Sequence, residues 1–359
     1  MSILARYIIK EYLKVFLMTL SILSLIFLMI HFLEKIRKFS EHHAEINVIL
    51  IYFLYKIPKM VSDIMPLAIL LSTLFTLGRF SKNNETVAVI GAGISVLQFT
   101  APLLIFSMLA SLLSFYLNST VIPNGLKHAR KTQEIKIEKK QDAANLIQSK
   151  IWFRLDHRTL FYTQEINPAS GSMQGIHIYY MGDDFTLQEE IDAKALTYAH
   201  NEWTLSQGTR RVFMPDGSVT INPFQQMGIE LNKTQSDFQE AAVIPIETTD
   251  QQLNASIAQL TRDGLNATRY RIDLQSRWAF SCASFILVLM GIPFCLQRPM
   301  GGARSFVLSL LIGLSYWVIS SVMISLGYTT ILPPLMSAWG ANLFFLLLGG
   351  YLFRNMSYA

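Results

Sequence analysis

The sequence predicts a polytopic α-helical membrane protein with six transmembrane helices, three and three, and an all-β domain inserted between the third and the fourth. Six apolar stretches each have about the 20 residues that a helix needs to cross the hydrocarbon core of a bilayer. They are Val15–Leu33, Met60–Gly78, Val96–Asn118, Trp278–Gln297, Ser305–Leu326 and Met336–Phe353. Lipid offers no water to backbone groups, so each stretch is expected to be helical. A polar block separates the two sets of three.

The charged residues separate this inserted block from the membrane part. Residues 119–277 hold 17 of the 30 Lys and Arg and 19 of the 25 Asp and Glu. No Asp or Glu follows Arg277, and the overall charge of +5 comes from segments that flank the spans. The near-neutral balance of the block argues against binding to nucleic acid, which needs a basic face.

The orientation follows from the Lys and Arg of the short loops. The loop Gly327–Leu335, between spans five and six, has neither and is expected outside, whereas Arg298, Arg304 and Arg354 are expected inside. Alternation along the chain then places the loop Arg79–Lys82 inside and the inserted block outside. For a bacterial protein this predicts a multi-pass protein of the inner membrane with a large periplasmic domain.

Five cations between spans one and two conflict with this rule, because they crowd the side expected to be outer. We call them the outer cationic rim, and they are Lys35, Arg37, Lys38, Lys56 and Lys59. One interpretation is a tolerated exception, since topology is set collectively. The other is a ring that binds a phosphorylated ligand at the mouth of the helix bundle. Composition alone does not choose between the two.

The uncharged run of residues 86–118 is too long for one perpendicular crossing. We divide it into a short helix, Asn84–Gly91, a break at Gly93, and the third span from about Val96. The short helix, with Glu85 on an apolar background, is expected at the cytoplasmic surface as a docking element. The alternative is that Glu85 only complements the dipole at the N-terminus of the helix.

The inserted block is divided into helix, sheet and helix. Residues 119–150 are expected to form a connecting helix with the polar run Asn124–Gln148, and residues 249–277 a second one over Asp250–Asp273. Between them, residues 151–248 have short β-rich segments at roughly ten-residue spacing, which indicates a sandwich or barrel-like sheet. The segments are Phe161-Tyr162, Ile176–Met181, Ala193–Tyr198, Trp203–Leu205, Val212–Met214 and Val219–Ile221. The membrane parts are then residues 1–118, with the short helix at 84–91, and 278–359.

The sequence contains no constellation typical of an enzyme. A Walker A pattern, a nucleophile elbow and a zinc signature are all missing, and the pair His42-His43 has no Cys or acidic partner at metal spacing. Asp63, at the outer end of span two, is either a functional residue of the membrane part or a solvated group near its interface. We therefore expect a non-catalytic protein without cofactor or metal.

Three stretches carry a resemblance that covers nearly the whole chain. The first runs from Leu77-Gly78-Arg79 through Asn84-Glu85-Thr86 to Ala92-Gly93-Ile94-Ser95, the second is Pro123-x-Gly125 followed by Ala129-Arg130, and the third is Leu4-x-Arg6-Tyr7-Ile8. In order and spacing these resemble the LptF/LptG family of lipopolysaccharide export permeases. The resemblance implies that the inserted all-β domain is a periplasmic, β-jellyroll-like domain between two sets of three spans. The inserted block is more similar to LptG, at Ile151-Trp152-Phe153-Arg154, Gly175-Ile176-x-Ile178-Tyr179 and Trp203-x-Leu205.

The resemblance implies a transport function and a set of partners. Members pair as LptF and LptG, bind a dimer of the ATPase LptB on the cytoplasmic side, and associate with the periplasmic protein LptC. Lipopolysaccharide leaves the outer leaflet of the inner membrane through such a complex and passes along a periplasmic bridge toward the outer membrane. This chain would then be the permease subunit of an ABC transporter, in contact with membrane lipid, and would itself hydrolyse nothing.

The resemblance also assigns roles to particular residues. Glu85 matches the glutamate of a coupling helix that sits in a groove of the ATPase, and Arg79, Ala92 and Gly93 belong to the same motif. The residues implied to bind lipopolysaccharide are His31, Lys35, Arg37, Lys38 and Arg130. Two positions depart from the family: His31 stands where LptG often has lysine, and Gln133 where it has a second arginine. Both departures imply a weaker or different preference for the phosphorylated headgroup.

Two other functions compete with this interpretation. A membrane-anchored periplasmic scaffold or sensor, whose helices only hold it in place, would need no ATPase. A membrane enzyme is the third class, and the missing catalytic constellation argues against it. Copurification of a cytoplasmic ATPase separates the transporter from the scaffold.

Overall fold

A computed structural model of the protein describes residues 3–138, 148–155, 158–166, 172–182, 184, 186–199, 202–214, 217–229, 231, 245–262, 266–297 and 302–355. The chain forms two compact units. The first comprises residues 1–129, 245–261 and 266–359, and the second comprises residues 130–244 and 262–265. Arg298, which the sequence predicts at the inner surface, lies outside the described residues.

Long helices build the first unit. Their bounds are Ile3–Glu41 (α1), Ile46–Lys82 (α2), Glu85–Gly91 (α3), Val96–Tyr116 (α4), Ile122–Lys131 (α5), Asp250–Arg262 (α6), Thr268–Gln297 (α7), Gly302–Tyr328 (α8) and Pro334–Arg354 (α9). The π-helical segments Leu117–Val121 and Thr132–Ile137 prolong α4 and α5, so that one helix runs from Val96 to Ile137. Six helices of the described chain are long and apolar enough to cross a membrane, which confirms the six predicted spans.

The first helix is much longer than the apolar stretch that predicts it. With 39 residues, α1 is about 58 Å long, whereas the hydrocarbon core of a bilayer is about 30 Å thick. It contains no Pro or Gly, so nothing in its sequence stops the helix where the lipid ends. Lys35, Arg37 and Lys38 therefore stand on its last turns, and not in a loop. Lys56 and Lys59 likewise lie on α2.

The bundle packs around α2 and α7. The most apolar window of α2 is 78% buried, against 11% for α1 and 17% for α8. Gly291 on α7 permits the close approach, because a Cβ there would lie 2.8 Å from a methyl carbon of Leu70. Thr19 on α1 and Ser72 on α2 share a hydrogen bond of 2.8 Å between their hydroxyls. The faces of α1 and α8 are thus left open to lipid or to another chain.

A partly buried ion pair ties α6 to the start of the fourth span. Arg277 on α7 donates to the carbonyl of Thr248 at 2.7 Å and to Asp250 Oδ1 at 3.0 Å. The indole N–H of Trp278 donates to Asp250 Oδ2 at 2.8 Å. Both oxygens of the Asp250 carboxylate are therefore held by α7, which fixes the angle at which the chain re-enters the membrane part.

The second unit is an antiparallel sheet of six strands whose order in space follows their order in sequence. The strands are Gln148–Arg154 (β1), Thr159–Ile166 (β2), Met173–Met181 (β3), Leu187–Ala199 (β4), Glu202–Phe213 (β5) and Val219–Ile229 (β6). One face carries the core, in which Phe161, Ile176, Ile178, Leu196 and Leu205 are fully buried. An all-β domain thus lies between the third and fourth spans, as the sequence predicts.

Several element bounds differ from those expected. The segments Trp203–Leu205 and Val212–Met214 fall mainly on one strand, β5, because the polar residues between them interrupt the apolar alternation but not the pairing with β4. The first connecting helix ends at Ile137, and Gln148, expected at its end, opens β1. Residues 139–147 lie outside the described chain. Asp273 belongs to α7, because α6 ends at Arg262.

Candidate functional site

Three of the residues expected to bind the headgroup share one face of α1. His31, Lys35 and Lys38 follow one another at spacings of four and three, which places them above each other on a helix. Arg37 lies on a different face, 87% exposed, and donates from Nε to Glu41 Oε1 at 2.8 Å. The neighbouring cations Arg37 and Lys38 therefore point in different directions.

The remaining cations of the outer cationic rim differ in how far they are neutralised. Lys59 forms an ion pair with Asp63, one turn further along α2. The ammonium of Lys56 lies 5.0 Å from the centroid of the Tyr52 ring, a cation–π contact. Lys35, which is half-buried, forms neither an ion pair nor a hydrogen bond with any residue that the structure describes. Its charge is the one most available to an anion.

An apolar groove lies between α1 and α2 along the face of α1 that carries Lys35. We call it the lateral groove; its volume is about 430 Å³. It is lined by Leu20, Ser21, Ser24, Leu25, Leu28, Ile57, Met60 and Val61. From Leu28 the same helix face continues through His31 to Lys35 at helical spacing. The arrangement is an apolar channel with cations at one end, which matches an amphiphile with an anionic head.

The short helix α3 is set off by two residues with left-handed backbone. Asn84, its N-cap, has φ +59°, and Gly93, after its end, has φ +84°. The next helix, α4, begins with a capping box in which Ser95 and Gln98 exchange hydrogen bonds. These features turn the chain twice within a few residues and make α3 a separate helix.

The two charged residues of the coupling motif both contact α1. The hydroxyl of Tyr7 donates to Glu85 Oε2 at 3.1 Å, and Asn83 Nδ2 donates to Oε1 at 3.1 Å. Arg79 Nη1 donates to Glu11 Oε2 at 3.2 Å. The start of α1 is thereby linked to α3 and to the end of α2.

The opposite side of α3 is a small, uncovered apolar surface. Val87 is 67% exposed, and Ala88, Gly91 and Ala92 beside it are exposed as well. A Cβ on Gly91 would meet nothing within 4 Å. Thr86, by contrast, is buried against the bundle. An exposed helix surface of small residues suits close packing against another protein.

The sequence did not single out Tyr7, Glu11 or the serines of the lateral groove as site residues. Glu11 could have been found, because it is the only acidic residue among the first 33 and an ionisable group at a membrane helix needs a partner. Tyr7 lies in the amino-terminal motif Leu4-x-Arg6-Tyr7-Ile8, but the motif does not reveal its hydrogen bond to Glu85. The serines can be recognised as site residues only once the structure shows which face of α1 lines the lateral groove.

The remaining residue expected to bind the headgroup is on another helix. Arg130 lies on α5, half-buried, in the second compact unit, and its membership of a common headgroup site stays a prediction. No cluster of His, Cys, Asp or Glu suited to a metal ion occurs among the described residues.

Together, the fold and these sites define a class: a multi-pass transport subunit with a lateral groove in its membrane part and an exposed short helix between spans two and three. A family model described as "Lipopolysaccharide export system permease LptF/LptG" matches residues 6–355. The chain therefore belongs to the LptF/LptG family.

Relatives with similar sequences carry both names of the family. LptG of Haemophilus influenzae is 23% identical over 94% of this chain and 93% of its own length. LptG of Escherichia coli K12 is 23% identical over 99% of both chains. LptF of Escherichia coli K12 is 22% identical over 96% of this chain and 93% of its own. These values agree with the closer resemblance to LptG, and none of these relatives is named as a scaffold or sensor.

Proposed function

We propose that this chain is the transmembrane permease subunit of an ABC transporter that extracts lipopolysaccharide from the outer leaflet of the bacterial inner membrane and passes it to a periplasmic bridge. The observation that carries the proposal is the lateral groove, with His31, Lys35 and Lys38 at one end. Family membership identifies the system, and the groove offers a place for its substrate.

The chemistry of the groove fits a glycolipid with phosphorylated sugars. Acyl chains would lie along the leucines of α1 and gain the usual free energy of apolar burial, about 25 cal/mol per Å². The phosphates would lie at the cationic end, where charge-assisted hydrogen bonds are strongest. Because Lys35 is half-buried, its charge acts in a medium less polar than water. Its lack of an internal partner leaves it ready for the ligand.

The surface of α3 fits a motor protein on the cytoplasmic side. An ATPase of the LptB type would pack onto Val87, Ala88 and Gly91, with Glu85 at the N-terminus of the helix. Movement of that ATPase would reach α1 through the contacts of Tyr7 and Glu11. The ATPase hydrolyses ATP, and this chain forms the path along which the lipid moves.

The open faces of α1 and α8 fit a paralogous permease. These are the two spans with the least buried windows, so pairing with an LptF-type chain would cover them and close the lateral groove into a chamber. The serines of the groove, Ser21 and the half-buried Ser24, would then find partners outside lipid. An LptC-type protein would continue the path on the periplasmic side.

Photo-crosslinking from the lateral groove tests the proposal. A photoreactive amino acid at Leu28 should label lipopolysaccharide in the purified complex. Lys35→Glu should reduce the labelling about fivefold, the effect of losing roughly 1 kcal/mol of headgroup binding.

Arg37→Glu is the matched comparison: the resemblance counts Arg37 among the headgroup residues, but it lies two residues away on another face of α1 and undergoes the same change of charge. It should leave the labelling within about twofold, as expected for an exposed ion pair. Equal losses in the two variants would mean that only the net charge of this region matters. No labelling in the wild type would refute the lateral groove as the site.

A further inference from the structure

Four aromatic side chains lie together on the face of the sheet opposite its core. We call Trp152, Tyr162, His177 and Tyr179 the aromatic platform. Trp152 is 4.8 Å from Tyr162 and 6.1 Å from Tyr179 between ring centroids, and Tyr162 is 5.6 Å from His177. The planes of Trp152 and Tyr179 differ by 19°, and those of His177 and Tyr179 by 8°. The rings of Trp152, Tyr179 and His177 on β1 and β3 are thus nearly parallel, whereas the ring of Tyr162 on β2 is tilted by 48° from Trp152 and by 46° from His177.

Strand register explains why these residues meet. Trp152 pairs with Tyr162, Tyr162 with His177, and His177 with Asp192, so one cross-strand row runs over β1 to β4. Side chains alternate between faces along a strand. The neighbours Phe161 and Ile178 therefore enter the core, where both are fully buried.

The rings of the aromatic platform pack on one another across the strands. The largest of them, Trp152, is nevertheless 60% exposed, so its ring remains accessible to a ligand. His177 Nδ1 is shielded from water yet has no hydrogen-bond partner among the described residues, with Asp192 Oδ1 at 3.7 Å. His177 thus sits between Tyr162 and Tyr179, with Asp192 as its nearest charged neighbour.

Carboxylates border the rings along one side. Asp192 lies next to His177, at the end of the cross-strand row that begins at Trp152. Glu190 lies opposite Tyr179 and forms an ion pair of 3.1 Å with Arg211. Burial raises the pKa of the Tyr179 hydroxyl, and Glu190 and then Asp192 raise that pKa further. The hydroxyl therefore stays protonated at neutral pH and can donate a hydrogen bond.

We propose that the aromatic platform binds the pyranose rings of an oligosaccharide and, on the proposed function, that these are the sugars of the exported glycolipid. A pyranose presents C–H groups on its faces, which are attracted to the electron-rich faces of aromatic rings. Its hydroxyls point outward around the edge, where carboxylates accept and Tyr179 and His177 can donate. A few polar groups around an apolar surface give such a site its orientation.

Other ligand classes fit this surface less well. An acyl chain would have to remove water from Asp192 and from the Glu190–Arg211 pair without offering a hydrogen bond in return. Nucleic-acid bases stack on similar platforms, but those are bordered by cations that hold phosphates. Here Arg211, the cation near Tyr179, is already engaged by Glu190.

Binding of delipidated oligosaccharide to the full-length chain tests the inference. The oligosaccharide released from lipopolysaccharide by mild acid would be titrated by saturation-transfer difference NMR. The chain would be held in a zwitterionic detergent, because a maltoside would itself offer sugar. Binding is expected for the wild type, and Trp152→Ala should weaken it about tenfold. Tyr179→Phe, which retains the ring, should weaken it less than Tyr179→Ala.

Ile221→Ala is the matched control. Ile221 is 61% exposed and lies on β6, in the same cross-strand row as Tyr179 but three strands away from it. Its affinity should equal that of the wild type. No binding by the wild type, or equal binding by Trp152→Ala, overturns the inference. Binding of a neutral maltooligosaccharide but not of the released oligosaccharide overturns the assignment to the glycolipid. The assay contains neither lipid nor ATP, so a failure of the transport function would be seen separately.

Discussion

At the scale of single residues, Glu85 combines a position that suits one of the two roles left open by the sequence with contacts inside the protein. It stands in the first turn of α3, where a negative charge is favoured by the helix dipole. It also accepts hydrogen bonds from Tyr7 and Asn83, which the sequence did not reveal because Tyr7 lies 78 positions away. Its role toward an ATPase is a separate proposal.

We predict that Glu85→Ala uncouples hydrolysis from transport. The fold should remain, because the residue lies at the surface, but lipopolysaccharide released per ATP hydrolysed should fall about tenfold, the effect of one lost charge-assisted contact. Proteoliposomes containing the whole complex provide the measurement. Glu202→Ala, an exposed acidic residue at the start of β5, is the control. Normal release by Glu85→Ala would contradict a coupling role.

At the scale of elements, the sequence predicts the helices well where a breaker marks their ends. Asn84 and Gly93 bracket α3 within one residue of the expected bounds. Ends without a breaker are poorly predicted, as α1 shows, because hydropathy records where lipid begins and not where helical hydrogen bonding stops. The sheet is harder, since pairing depends on residues far apart in sequence. The polar middle of β5 is extended only because β4 and β6 lie on either side of it.

The end of α3 gives a test of backbone conformation with a matched pair of glycines. Gly93→Ala should lower the thermal unfolding midpoint in detergent, because a Cβ at φ +84° costs about 1–2 kcal/mol. Gly91→Ala has equal space around it but lies within the helix. It should leave the midpoint unchanged or raise it, since alanine is favoured over glycine by about 1 kcal/mol there. Equal shifts of the midpoint in the two variants would show that a side chain at position 93 does not strain the backbone.

At the scale of the whole molecule, the fold class followed from the sequence but the lateral groove did not. Six apolar stretches and a β-rich insert are local signals, and each can be read without its neighbours. The groove depends on which face of α1 meets α2 and which stays open. The apolar residues of α1 surround the helix, so no periodicity marks that face. The aromatic platform was hidden for the same reason, because strand register was unknown.

The orientation of the helices yields a prediction for intact cells. The turn after α1 and the start of α3 lie at opposite ends of α2, which has 37 residues. With Cys282 and Cys295 replaced by serine, Glu45→Cys should react with an impermeant maleimide in spheroplasts. Lys82→Cys should react only after the membrane is opened. The reverse pattern would place the outer cationic rim in the cytosol and remove the basis for headgroup binding.

The uninterrupted course of α1 has a mechanical consequence. Tyr7, which touches Glu85, and Lys35 lie on the same unbroken helix, about 42 Å apart along its axis. Near its far end this helix packs on α2 through Phe39, which contacts Tyr52 and Phe53. Under the proposed function, a tilt of the whole helix by about 5° would displace Tyr7 and Lys35 by nearly 4 Å relative to each other. An ATPase that moved α3 on one side of the bilayer would thereby shift the charge of Lys35 on the other.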